Sequence, residues 1–118
     1  MSEIKMRRRS RQVSVTLTTS TASATRLYVE DFAGGVVDVG TLATAVTTLQ
    51  MWAASADDGT YRRLYKDDGT VADITLAPST AVGAVYNLPD AVFGVPFLQI
   101  LAGNAAGTGV SAVVTLKS

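Results

Sequence analysis

The chain has 118 residues, no net charge, 47% hydrophobic and 17% charged residues, and neither cysteine nor histidine. That is one domain, long enough to bury roughly 65% of its unfolded surface around a single core. The missing residue types exclude disulfides, thiolate and imidazole metal sites, Ser-His-Asp and Cys-His catalysis, and a histidine pH switch.

The neutral total conceals a split. Within residues 1–12, Lys5, Arg7, Arg8, Arg9 and Arg11 stand against Glu3 alone, a net +4, while residues 13–118 hold five bases against nine acids, a net −4. Residues 1–12 therefore read as an extended basic arm and residues 13–118 as an acidic folded domain. A guanidinium forks equally well onto carboxylate and phosphate, so the arm suits an acidic protein surface and leaves nucleic acid open. The basic run followed by residues 13–24 mimics a signal peptide. Ser14, Thr16, Thr18, Thr19, Ser20 and Thr21 make the would-be apolar region half polar, which rejects that reading.

From residue 13 onward the dominant period is two. Val13, Val15 and Leu17 alternate with Ser14, Thr16 and Thr18, which gives a strand one dry face and one wet face. Residues 26–30 repeat the alternation with Leu27 and Val29. Gly34-Gly35 reads as a turn. Residues 41–45 can form a short helical turn, but the β-branched Val46, Thr47 and Thr48 return the chain to strand. Asp57-Asp58-Gly59-Thr60 and Asp67-Asp68-Gly69-Thr70 repeat the same letters ten residues apart. Asp-Gly supplies the positive φ of tight hairpins, so residues 46–54, 61–66 and 71–77 read as consecutive strands of a meander. A strand over 82–88 follows, and Pro89-Asp90 breaks it. Residues 97–101 are the most apolar short run, residues 104–109 turn the chain, and Val110, Ala112, Val114 and Leu116 share one face of the last strand.

Residues 91–116 carry no charge and exceed the length of a membrane span. Pro96, Gln99, Asn104 and four glycines divide them into two strands joined by a turn. The whole reads as all-β: a single antiparallel β-sandwich or jelly roll of about eight strands with an extended basic N-terminal arm. Its expected core is Val13, Val15, Leu17, Leu27, Val29, Leu49, Met51, Leu64, Ile74, Leu76, Leu88, Phe97, Ile100 and Leu116.

The acidic pairs invite calcium or glycosidase chemistry, yet neither a calcium-loop spacing nor a cleft that would raise a carboxyl pKa accompanies them, and Asp before Gly is turn chemistry. Gly107-Thr108-Gly109 lacks the third glycine and the following helix of a phosphate loop. No catalytic, cofactor or metal residue is expected, and the chain is not read as an enzyme. Trp52 falls on the strand face opposite Leu49 and Met51, where it fills an inter-sheet gap or meets a partner. With Tyr61, Arg62 and Tyr65 it forms a possible interface, the arm residues Lys5, Arg7, Arg8, Arg9 and Arg11 forming another.

Residues 49–61, Leu49-Gln50-Met51-Trp52 through Ala56-Asp57-Asp58-Gly59-Thr60-Tyr61, place a strand before an Asp-Gly turn, an aromatic and a further strand. Leu64-Tyr65, Asp68-Gly69, Tyr86-Asn87-Leu88-Pro89, Phe93-Gly94 and Phe97-Leu98-Gln99-Ile100 continue the pattern. Over residues 46–101 this resembles the small β-sandwich structural proteins of tailed-bacteriophage heads, some of which are capsid decoration or cement proteins. The basic arm is not part of that resemblance. It implies a non-enzymatic protein on the capsid surface of a virion, made in the host cytoplasm. The implied partners are the major capsid protein and further copies of itself as dimer or trimer; no small-molecule substrate, membrane or cofactor is implied. A carbohydrate-binding sandwich using Trp52, and a head–tail connector or tail subunit, are the alternatives.

Overall fold

The computed structural model describes residues 10–40, 47–76, 84–104 and 109–118. Among the described residues nine strands run in the order β1 (Ser10–Thr16), β2 (Leu27–Tyr28), β3 (Gly34–Val39), β4 (Thr48–Ala54), β5 (Arg62–Arg63), β6 (Ile74–Thr75), β7 (Ala84–Asn87), β8 (Phe97–Ala102) and β9 (Ser111–Lys117), with a 3₁₀ turn at Asp90–Gly94. They form two antiparallel sheets. One has the order β1-β9-β3-β7; the other has β2-β8-β4-β5, with β6 also on β4.

The pairings nest. β1 lies on β9, β2 on β8, β3 on β7, and β4 on β5 and β6, so the two halves of the chain run back along each other like one long hairpin. Rolling that hairpin sends successive pairs to alternate sheets and brings β9 against β3 and β8 against β4. This is a jelly roll, and the all-β sandwich expected from the alternation is the fold.

Alternation also builds the core. On β1, Val15 is buried while Ser14 and Thr16 are exposed; on β9, Ala112, Val114 and Leu116 are buried and Ser111 and Lys117 exposed. Leu17, Leu27, Leu49, Met51, Val37 and Leu116 are almost fully enclosed between the sheets. Each such side chain contributes about 1.5–3 kcal/mol of burial.

Several expectations are corrected. Gly34 and Gly35 open β3 instead of forming a turn: they pair with Lys117 and Leu116, and β3 adds Val37 and Val39 to the core. The segment 61–77 is not a meander. β5 and β6 lie end to end on the same edge of β4, whose other edge β8 occupies, and residues 64–72 fold between them as a small excursion closed by the Tyr65–Val71 bridge. The two strands within residues 91–116 sit in different sheets, because β8 takes β4 and β2 as neighbours while β9 fills the slot between β1 and β3. Phe97, placed in the core by sequence, is half-buried and packs on Tyr28, ring centroids 5.4 Å apart. Val13 and Leu64 are half-buried at the core margin. The short helical turn at 41–45 lies outside the described residues. No helix among the described residues is long and apolar enough to cross a membrane.

Candidate interaction surfaces

The register defines two outward faces. On the four-stranded sheet, rows such as Ser14–Val113–Asp38–Val85 and Gln12–Thr115–Val36–Asn87 point away from the core, since the alternate rows hold the buried Val37 and Val114. This face carries serine, threonine, glutamine and valine, with Val85 59% and Val113 36% exposed, and only Asp38 and Lys117 charged among the paired residues. Its small and β-branched side chains fit a pleated surface.

The outward face of the other sheet is partly covered. Residues 18–24 leave β1 and cross it as a strap, held by local hydroxyl bonds. The Ser20 N–H donates to Thr18 Oγ1 at 2.8 Å, and the Thr18 and Ser23 hydroxyls bond at 3.0 Å. The strap is tied to β8 by the Ala102 N–H, which donates to the Thr18 carbonyl, and by Gln99. Gln99 Nε2 donates to the carbonyls of Thr21 at 2.9 Å and Ala24 at 3.2 Å, while its buried Oε1 has no partner. A strap over the sheet explains why β8 is buried on both faces from Leu98 to Ala102. The signal for it in the sequence is one glutamine inside the most apolar run, since a strand enclosed on both sides reads as continuous hydrophobicity and tolerates a polar residue only where it has partners.

Of the residues marked as a possible interface, Trp52 is on the outward face as its alternation with Leu49 and Met51 requires, and so fills no inter-sheet gap. It is half-buried, and its indole N–H donates to Gln50 Oε1 at 3.1 Å. Beside it Arg63 forks onto Asp73, with Nε 3.3 Å from Oδ1 and Nη2 on Oδ2. Tyr61 is corrected from interface to interior. It is buried beneath the 57–60 turn with its hydroxyl donating to the Asp57 carbonyl at 3.1 Å, and burial, aided by the Asp57 charge, raises its pKa above 10.0. Arg62 is exposed and Tyr65 is 56% exposed, on the excursion between β5 and β6.

Lys5, Arg7, Arg8 and Arg9 lie outside the described residues. Arg11 does not belong to an arm beginning before residue 13: Ser10, Arg11 and Gln12 are already in β1, paired with Lys117, Leu116 and Thr115. The hydrogen-bonded ladder of β1 with β9 runs from Thr16↔Ser111 to Ser10↔Lys117.

The two Asp-Gly turns differ. At Asp67-Asp68-Gly69 the Gly69 N–H bonds to the Lys66 carbonyl, Gly69 takes φ +84°, and the Lys66 N–H closes onto Thr70, a type I turn followed by a left-handed glycine. At Asp57-Asp58-Gly59 the glycine keeps a negative φ, so the positive-φ expectation fails there. Asp68 Oδ1 accepts from both the Thr70 hydroxyl at 2.6 Å and its N–H at 3.0 Å, and these bonds hold its pKa below 3.8. Thr70→Val is expected to raise the Asp68 pKa toward that value, read by NMR titration of the carboxyl carbon. Since the folded value is the depressed one, the bond's contribution to stability is present above the unfolded pKa and fades as pH falls through the folded one. Asp67, Asp68, Asp73 and Asp90 border a shallow groove with Lys66, but Asp73 is held by Arg63 and Asp68 by Thr70. Among the described residues no cluster of acids is arranged to hold a metal ion.

Comparison with known proteins returns no matching family model, no matching curated protein and no matching solved structure.

Proposed function

We propose that this chain is a non-enzymatic structural protein of a tailed-phage head, a decoration or cement protein that bridges neighbouring major capsid protein subunits. The observation that carries the reading is the open face of the four-stranded sheet, low in charge and bearing the exposed Val85 and Val113. Static contacts between many identical subunits favour such a surface, since small uncharged side chains lose little entropy and little hydration when covered. The resemblance over residues 46–101 points the same way, and the jelly roll recurs in viral capsid domains, an argument by analogy of fold. In this mechanism Lys5, Arg7, Arg8 and Arg9 pin the N-terminal segment to acidic capsid residues, and repeated weak contacts add up through multivalency.

The test uses purified heads stripped of this protein. A variant lacking residues 2–9 leaves β1 intact and is expected to re-bind the heads with reduced occupancy, the difference shrinking as salt is raised. Undiminished occupancy removes the arm from the mechanism, and failure of the full chain to bind any head overturns the function.

A further inference from the structure

Among the described strands the four sheet edges are unequal. On the five-stranded sheet they are formed by β2, β5 and β6, of two residues each, and on the four-stranded sheet one edge is the four-residue β7. The remaining edge is β1, seven residues long, paired on one side only among the described strands. Long edges are normally blunted by proline, lysine, a bulge or a covering element, because their free N–H and C=O groups recruit other strands. Ser-Arg-Gln-Val-Ser-Val-Thr contains no proline, and its single charge, Arg11, is in the row of Leu116, not on the outward face.

The free groups can be assigned. The Leu17 N–H donates to Val110 and its carbonyl accepts from Gly109, so Leu17 bonds toward β9. Backbone groups alternate sides along an antiparallel strand. Val15, Val13 and Arg11 thus also bond toward β9, and Ser10, Gln12, Ser14 and Thr16 turn theirs to the open edge.

We propose that β1 is the interface between two copies of this chain, which pair β1 to β1 antiparallel about a two-fold axis at Val13 and join their four-stranded sheets into one of eight strands. In this register Ser10 faces the partner's Thr16 and Gln12 faces the partner's Ser14, so all four open residues of each strand are used. Val13, half-buried at the core margin, meets the partner's Val13. Arg11 stands opposite the partner's Val15, so no like charges oppose each other. Charge selects a second copy over another occupant. The antiparallel arrangement starts the two basic segments at opposite ends of the joint, about 20 Å apart and beyond a Debye length of about 8 Å. A second copy brings residues 13–118, which carry −4, to meet the +4 of residues 1–12. The inference does not require the capsid reading.

Sedimentation of the full chain over a concentration series tests it. The unmodified chain is expected to dimerise. Ser14→Pro removes an edge-facing N–H from each copy while sparing the β9 ladder, and is expected to weaken the dimer roughly ten- to hundredfold. The combination Gln12→Lys with Ser14→Lys sets like charges across the joint and is expected to weaken it, whereas Gln12→Lys with Ser14→Glu sets opposite charges and preserves it. That charge pair decides the matter if the proline variant fails to fold. A chain that stays monomeric at every concentration, or a dimer indifferent to which charge combination it carries, overturns the proposal.

Discussion

Gln99→Glu is expected to destabilise the fold by about 3–5 kcal/mol at pH 7, the range for an uncompensated buried charge. The side chain is wholly enclosed, and the atom at Nε2 faces two carbonyl oxygens, of Thr21 and Ala24. A carboxylate there loses its hydration and meets two acceptors with nothing to donate. Both effects raise the folded pKa of the introduced acid above its unfolded value of about 4.3. The penalty is consequently small below that pH, where a protonated acid donates to one carbonyl, and grows as pH rises through the unfolded pKa toward the folded one. Denaturant unfolding at pH 4 and pH 7 checks it: the gap between variant and parent should open with pH. Equal gaps at the two values would mean that the strap simply lifts and hydrates the carboxylate.

Gly35→Ala is expected to cost about 1–3 kcal/mol, the range for overpacking a filled core. A Cβ at this position would lie 2.6 Å from the Thr115 carbonyl oxygen, 3.1 Å from Leu116 Cδ2 and 3.2 Å from Leu88 Cδ1. The first of these neighbours is backbone in a central strand and cannot rotate aside. Gly34→Ala is the matched control, since its Cβ would meet nothing within 4 Å. It should be neutral or slightly stabilising through the reduced freedom of the unfolded chain. Equal unfolding midpoints for the two alanine variants would contradict the close approach of β3 and β9.

These two positions mark where local pattern stops being informative. Gly34-Gly35 has the letters of a turn, and only its neighbours across the sheet make it strand: Lys117 and Leu116 on one side, and on the other Leu88, whose N–H donates to the Gly35 carbonyl. Gln99 was legible only as a polar residue in an apolar run, while the carbonyls it binds lie 75 and 78 residues away in sequence. Tyr61 carries the same ambiguity. An aromatic after an Asp-Gly turn reads equally as contact or as core, and the fold of the turn over its ring puts it inside.

The sequence by itself determined that the chain is all-β, that Val15, Leu17, Leu49, Met51 and Leu116 turn inward and Ser14 and Thr16 outward, and that its charge is divided between N-terminus and body. Those properties depend on side-chain alternation and residue type, which each segment carries alone. Only the tertiary structure decided which strands are neighbours, that β5 and β6 share one edge of β4, that residues 18–24 cover β8, and that β1 is the last strand of its sheet among the described residues. Pairing joins residues as far apart as Ser10 and Lys117, and the partner of a strand is selected by competition among all strands for a few edges, a global condition that no local period encodes.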